Sequence, residues 1–230
     1  MTPAPEPATP VTADIKLLFM GNSHSSVNGL HTMVEAIVRS ASPGKTVAAV
    51  LAPGSMFLEE RSVDEANLAT LRGAQWSAVI LQAQKYSTTG QFSYPTTGAE
   101  ALIRETRAVG ALPILFPEWP RLGIDETALI YNLHVSIAGR APACVAPIGQ
   151  AWDLSLQRHP QLVLHNPDGN HSAPAGAFLA ALVLAATYTQ ASPATVPFIP
   201  GIAVDAPAQE RLRGVAAETV AAYPPRRYCP

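Results

Sequence analysis

The sequence predicts a three-layer α/β/α sandwich built on a five-stranded parallel sheet, and two observations carry the prediction. Short runs rich in Val, Ile, Leu and Ala alternate along the chain with stretches of helical period. Those apolar runs are nearly continuous and do not alternate with polar residues, which is how a strand reads when helices cover both faces of its sheet. Crossovers between parallel strands are then right-handed. The chain has 230 residues, enough for one sizeable core and tight for two. With 48% hydrophobic and 14% charged residues it does not have the composition of a disordered chain. A net charge of −2 with no basic run excludes the electrostatic footprint of a nucleic-acid binder.

In chain order, "MTPAPEPATPVTAD" (residues 1–14) is Pro-, Ala- and Thr-rich and predicts a poorly ordered extended leader. It lacks the basic and apolar regions of a signal peptide. It fits a cytoplasmic protein, or a secreted or periplasmic one whose signal has been removed or omitted. A single domain is expected over residues 15–230. "IKLLFMG" reads as the first strand; Leu30, Met33, Val34, Ile37 and Val38 then mark one helix face. Thr46 to Ala52 is the second strand, and "SMFLEERSVDEANLATLRGA" is mostly helical. Ser77 to Gln84 is the third strand, followed by the helix "TGAEALIRETRAVGA". "LPILFPEW" is the fourth strand, and "DETALIYNLHVSIAGRA" opens as a helix should, with an acidic first turn. "ACVAPIG" is the fifth strand, followed by a short helix. "SAPAGAFLAALVLAATYTQ" is a long apolar helix, and "APAQERLRGVAAETVAAY" a last surface helix. The longest apolar stretch is about one buried helix long, too short to span a membrane. Of the two cysteines, Cys144 reads as a small core residue and Cys229 lies near the end of the sequence. Two cysteines make no disulfide framework, although a bridge between them is the alternative.

In a sheet of this kind ligands bind beyond the carboxyl ends of the strands. The residues found there are Gly21-Asn22-Ser23-His24, Pro53-Gly54-Ser55, Gln82-Ala83-Gln84, Glu118-Trp119, and the loop "NPDGNHSAPAG" with Asp168 and His171. A serine hydroxyl needs a base to become a nucleophile, and the base needs an orienting partner. An Asp three residues before a His, with Gly169 between them to ease the turn, supplies both. Ser23 sits at a strand-to-helix turn. Gly54 can bring a backbone N–H close to a developing oxyanion, and Gln84, with Gln82 as alternative, can add a side-chain amide. His24 is expected to line the pocket mouth or to pack, and Glu118 and Trp119 end the fourth strand. His24 and His31 lack a nearby carboxylate and make a poor metal site, so neither metal nor cofactor is expected. Asp153 is a rival orienting acid; His134, His159 and His165 read as structural or surface residues.

The arrangement resembles the SGNH (GDSL-type) hydrolase superfamily over about Ile15 to Tyr188. Gly21-Asn22-Ser23 is similar to its first block, where Gly-Asp-Ser is commoner; Gly54 in "APGSMFLEE" is similar to the second-block glycine; "DGNHSAPAGAFLAAL" looks like the last block. The third block departs from the usual Gly-x-Asn-Asp, since "LQAQKYS" places Gln82 at the glycine and Gln84 at the asparagine. A branch with Gly-Asn-Ser in the first block is the nearest. The resemblance implies a flavodoxin-like sheet and a serine esterase in which Ser23, His171 and Asp168 form a triad. Its substrate would be a small acyl ester, such as O-acetyl on a carbohydrate, in a pocket that the resemblance places at Glu118 and Trp119. An acyltransferase and a non-catalytic carbohydrate-binding relative are the alternatives.

Overall fold

The apolar runs emerge as strands and the periodic stretches as helices, in a computed structural model that describes residues 12–230. The order is β1 (Ile15–Met20), α1 (Ser23–Ser26), α2 (Leu30–Ser40), β2 (Val47–Leu51), α3 (Leu58–Arg61), α4 (Glu65–Arg72), β3 (Ala78–Leu81), α5 (Thr97–Ala108), β4 (Leu112–Leu115), α6 (Thr127–Arg140), β5 (Cys144–Val145), α7 (Ile148–Arg158), α8 (Pro174–Thr189) and α9 (Ala206–Ala222). The strands pair in parallel in the order β2-β1-β3-β4-β5. This is the flavodoxin-like order, with its topological switch point at β1, where the chain steps to β2 on one side and β3 on the other.

Alternate residues of the same strands feed two cores, because successive side chains point to opposite faces of a sheet. Leu17, Phe19, Ile80 and Ile114 pack with Met33, Ile37, Trp152 and Phe178. Leu18, Met20, Val79, Leu81 and Leu115 pack on the other face with Leu58, Leu71, Leu102 and Ile137. Each large side chain so buried contributes on the order of 1.5–3 kcal/mol. In α8, Gly176 to Thr187 are all buried, which explains why that helix is apolar all round. It starts with Pro174 at a position where the missing N–H has no helical partner anyway. Gly176 permits a close approach: a Cβ there would stand 2.3 Å from the Leu164 carbonyl oxygen and 2.5 Å from the Trp152 ring.

One expectation is corrected and two are refined. The leader assigned to residues 1–14 falls largely on residues 1–11, outside those described. Its last residue is part of the fold, since Asp14 N–H donates to Thr46 Oγ1 (2.9 Å) and Asp14 Oδ2 accepts from Thr46 N–H (2.8 Å). The stretch expected to be mostly helical over residues 55–74 carries two helices, α3 and α4, separated where Asp64 caps α4 by accepting from Asn67 N–H at 2.9 Å. Cys144 is not a free core thiol; it is bonded to Cys229, which fastens the turn at Pro225–Tyr228 to β5. Among the described residues no helix is long and apolar enough to cross a membrane.

The internal strand β4 contains Pro113, which cannot donate to a ladder. Leu112 and Phe116 donate to β3, so Pro113, out of phase with them, faces the β5 side. The β4–β5 ladder begins only at Ile114, beyond the proline.

Candidate active site

The first strand stops at Gly21 because nothing larger fits. A Cβ there would lie 2.3 Å from both Gln82 Oε1 and Ser25 Oγ. Asn22 caps α1, its Oδ1 accepting from His24 N–H at 3.1 Å. Ser23 is therefore the first helical residue above the sheet edge, half-buried.

Ser23 Oγ lies 2.8 Å from His171 Nε2, and His171 Nδ1 lies 2.6 Å from Asp168 Oδ2. With Nδ1 facing a carboxylate, Nε2 is left as the acceptor for the serine proton. The other oxygen, Asp168 Oδ1, accepts from the backbone N–H of Asn170 and of His171, each at 2.9 Å. Hydrogen bonds from the Asn170 N–H, then from the His171 ring and the His171 N–H, hold the Asp168 carboxyl down to about 2. Gly169 has φ of +69°, as the turn demands. The loop is tied down from outside: Leu122 N–H donates to Gly169 O (2.8 Å), and Trp119 Nε1–H to Asn170 O (2.8 Å). Asp153, on the exposed side of α7, takes no part, since Asp168 occupies His171 Nδ1.

Beneath His171 runs a column of rings. Trp152 stacks on Trp119 at 4.6 Å and 5°, Trp119 meets His24 at 5.0 Å, and His24 stacks on His171 at 5.1 Å and 29°. Trp119 is only 2% exposed. Expected at the substrate pocket, it lies under His24 and supports the loop of His171. His24 and Glu118 do line a cleft of about 530 Å³, together with Phe57, Tyr86, Tyr94 and Arg121. Burial, then the neighbouring Glu118 carboxylate, raises the Tyr86 hydroxyl well above the usual phenol range. His134 and His165 are buried core residues that bond backbone oxygens, of Ile130 and Pro120. Among the described residues no three His, Cys, Asp or Glu side chains cluster in a way that would hold a metal ion.

The two amides expected as side-chain oxyanion donors have partners within the fold, although Gln84 lines the cleft. An amide nitrogen has two hydrogens. Gln84 Nε2 spends both on carbonyls, of Lys85 (2.9 Å) and Pro95 (3.2 Å). Gln82 Nε2 bonds Asn22 Oδ1 (3.0 Å) and Glu118 Oε1, while Gln82 Oε1 accepts from Asn22 N–H (2.7 Å) and Ser25 Oγ–H (2.9 Å). Strand alternation would put the two glutamines on one face. The strand ends at Leu81, however, and buried Ala83 has φ of +77°, which turns Gln84 away from Gln82. A left-handed Ala costs roughly 1–2 kcal/mol, and the fold holds it there. Its carbonyl accepts from Leu58 N–H at 3.0 Å, where α3 begins.

Sequence reasoning missed Arg61. It is 1% exposed, and among the described residues its acceptors are carbonyl and amide oxygens, none a carboxylate. Nη1 donates to Pro53 O (3.1 Å) and Asn67 Oδ1; Nη2 donates to Gly54 O (2.7 Å) and Gly21 O. Burial lowers its pKa, and Asp64 partly offsets that. The available signal was the spacing of Leu58 and Arg61, three apart and so on one helix face.

No protein-family model matches the chain, and none of the curated proteins does. Solved structures do. A candidate SGNH hydrolase from Slackia heliotrinireducens is 21% identical, covering 74% of this chain and 97% of its own, at a TM-score of 0.59. A DUF4886 family protein from Bacteroides uniformis is 16% identical, covering 91% and 95%, at 0.68. The structure of TesA is 18% identical, covering 76% and 97%, at 0.50. At these identities the likeness is one of fold, and the α/β fold of this chain matches that of its SGNH hydrolase neighbours.

Proposed function

We propose, on the premise of that fold, that the chain is a serine ester hydrolase of the SGNH type, from a branch with Gly-Asn-Ser in its first block. The observation that carries the reading is the continuous line from Ser23 Oγ through His171 to Asp168, at 2.8 Å and 2.6 Å. In the reaction Ser23 Oγ attacks the ester carbonyl as His171 Nε2 takes its proton. Asp168, kept ionised by its backbone donors, stabilises the imidazolium that forms. The tetrahedral oxyanion is received by the N–H groups of Ser23 and Gly54, since both glutamine amides are engaged elsewhere. His171 then gives its proton to the departing alkoxide, and a water activated by the same imidazole releases the acid.

The substrate reading is a small acyl ester, acetyl above all, on a carbohydrate or similar polyol. Supporting it, the cleft beside Ser23 combines three aromatic rings, of Phe57, Tyr86 and Tyr94, with the polar groups of Glu118 and Arg121. Ring faces with interspersed carboxylate and guanidinium suit an alcohol portion that is flat on one side and hydroxylated at its edge.

The test is labelling by a fluorophosphonate together with turnover of p-nitrophenyl acetate and of acetylated sugars. Wild type should label at Ser23 and hydrolyse ester, and Ser23→Ala should lose both, with a kcat loss of about 10⁴ or more and unchanged circular dichroism. Ester turnover that survives in Ser23→Ala would refute the assignment. Product analysis with added sugars separates hydrolysis from acyl transfer.

A further inference from the structure

Arg61 has no role in the chemistry described so far, yet it is among the most deeply buried large side chains of the molecule. A buried guanidinium normally faces a carboxylate. Four of its five hydrogens are directed at oxygen acceptors, none a carboxylate: Pro53 O, Gly54 O, Gly21 O and Asn67 Oδ1; Nε has no partner.

The peptide bond makes the choice of acceptors informative. In a trans peptide the C=O and the N–H of the same unit point in opposite directions. Pro53 C=O shares its unit with Gly54 N–H, and Gly54 C=O shares its unit with Ser55 N–H. Turning both carbonyls toward Arg61 therefore turns both N–H groups away from it. Gly54, at φ of +77°, has the left-handed backbone that lets two successive units do so. Among the described residues neither Gly54 N–H nor Ser55 N–H donates to another backbone carbonyl. The third carbonyl, of Gly21, closes the strand that carries Ser23. It also accepts from Met56 N–H at 3.5 Å, so the same atom ties the β2 loop to the nucleophile turn.

We propose that Arg61 is the positioning residue of the oxyanion hole: it fixes the Pro53–Ser55 peptides against the Gly21–Ser23 turn with their N–H groups facing the reacting carbonyl. Its positive charge, with Asp64 acting on it only from a distance and water excluded, strengthens those donors. A hydrogen bond to a peptide oxygen polarises the N–H of the same unit, and a charge placed behind the donors favours negative charge in front of them. The role follows from the committed glutamines: a hole made of backbone alone depends on what holds the backbone. The inference rests on the esterase reading above.

The test compares Arg61→Lys and Arg61→Met with wild type. Lys keeps the charge and cannot reach acceptors in three segments at once. Met removes charge and bonds together. In Arg61→Met, kcat should fall about 10²-fold with KM within a few fold, and fluorophosphonate labelling of Ser23 should slow in proportion, because its transition state also places charge on oxygen. Arg61→Lys should lose about tenfold, again in kcat. The ¹⁵N-amide resonances of Gly54 and Ser55 should shift in Arg61→Lys while those of Asp168 to His171 stay in place. A lower melting temperature with wild-type kcat in Arg61→Lys would overturn the proposal, as would unmoved Gly54 and Ser55 resonances. If Arg61→Met does not fold, Arg61→Lys decides alone. If wild type itself neither labels nor turns over ester, it is the esterase reading that fails, and the amide shifts still report whether Arg61 holds the loop.

Discussion

Ser23 is flanked by two supports built in opposite ways. On the base side everything lies within four residues: Asp168 binds the ring of His171 and the backbone of Asn170 and His171, around one glycine. On the oxyanion side nothing is local. The loop after β2 is held by an arginine from α3, α3 starts on the strained carbonyl of Ala83 after β3, and Gln82 fixes Asn22 from across the sheet. The base side can be recognised from a spacing. The oxyanion side can be recognised only once the sheet is assembled, because its bonds run to backbone oxygens that every residue possesses.

The sharpest way to break the contrast is at the base side. Asp168→Asn leaves the size of the side chain unchanged and removes the charge that orients His171. By comparison with serine proteases kcat should fall by about 10²–10⁴, read with p-nitrophenyl acetate. A loss under tenfold would mean His171 is oriented chiefly by its ring stack. Asp168 also gives a pH signature. Its folded value of about 2 lies below the ordinary 3.8, so it stabilises the fold above pH 3.8, and that contribution fades as pH falls through that range toward 2. Acid melts of wild type and Asp168→Asn should converge there, and parallel curves would contradict it.

The oxyanion side is sharpened by the two glutamines. Gln82→Ala strands the Asn22 N–H, the Ser25 hydroxyl and Glu118, so it should cost about tenfold in kcat and about 1–3 kcal/mol of stability. Gln84→Ala should stay within about threefold of wild-type kcat, because its amide serves two backbone carbonyls and no substrate. A larger kcat loss in Gln84→Ala than in Gln82→Ala would return the donor role to Gln84.

The smallest expected effect on catalysis lies far from both supports. Removing the Cys144–Cys229 bridge by Cys229→Ala should leave kcat unchanged. It should lower the melting temperature by roughly 5–15 °C, from about 2–4 kcal/mol of chain constraint. A changed kcat would show that the β5 edge communicates with the site.

How much of this was legible follows the same division. The alternation of apolar runs and helical periods gave five strands and their flanking helices, because burial on both faces leaves a compositional trace. Asp168, His171 and Ser23 stood out through turn and spacing. The partners of Gln84 were not legible, because period-two alternation stops at Leu81 and a non-glycine residue takes φ of +77°, which composition does not announce. The bridge stayed an alternative because a pair of cysteines in a sequence carries no distance. The burial of Trp119 was not legible either, because a strand end predicts proximity to the cleft and says nothing about depth.

The column from Trp152 to His171 ties together two properties that are separate in most proteins. Trp152 and Trp119 are core residues by burial, yet through His24 they set the floor on which the base rests. On the proposed esterase reading, a substitution that repacks α7 is then also a substitution in the catalytic apparatus. Drift that would be neutral in an insulated core would on that reading be filtered by turnover, and a search for a more heat-resistant variant would have to leave these rings alone or accept a slower enzyme.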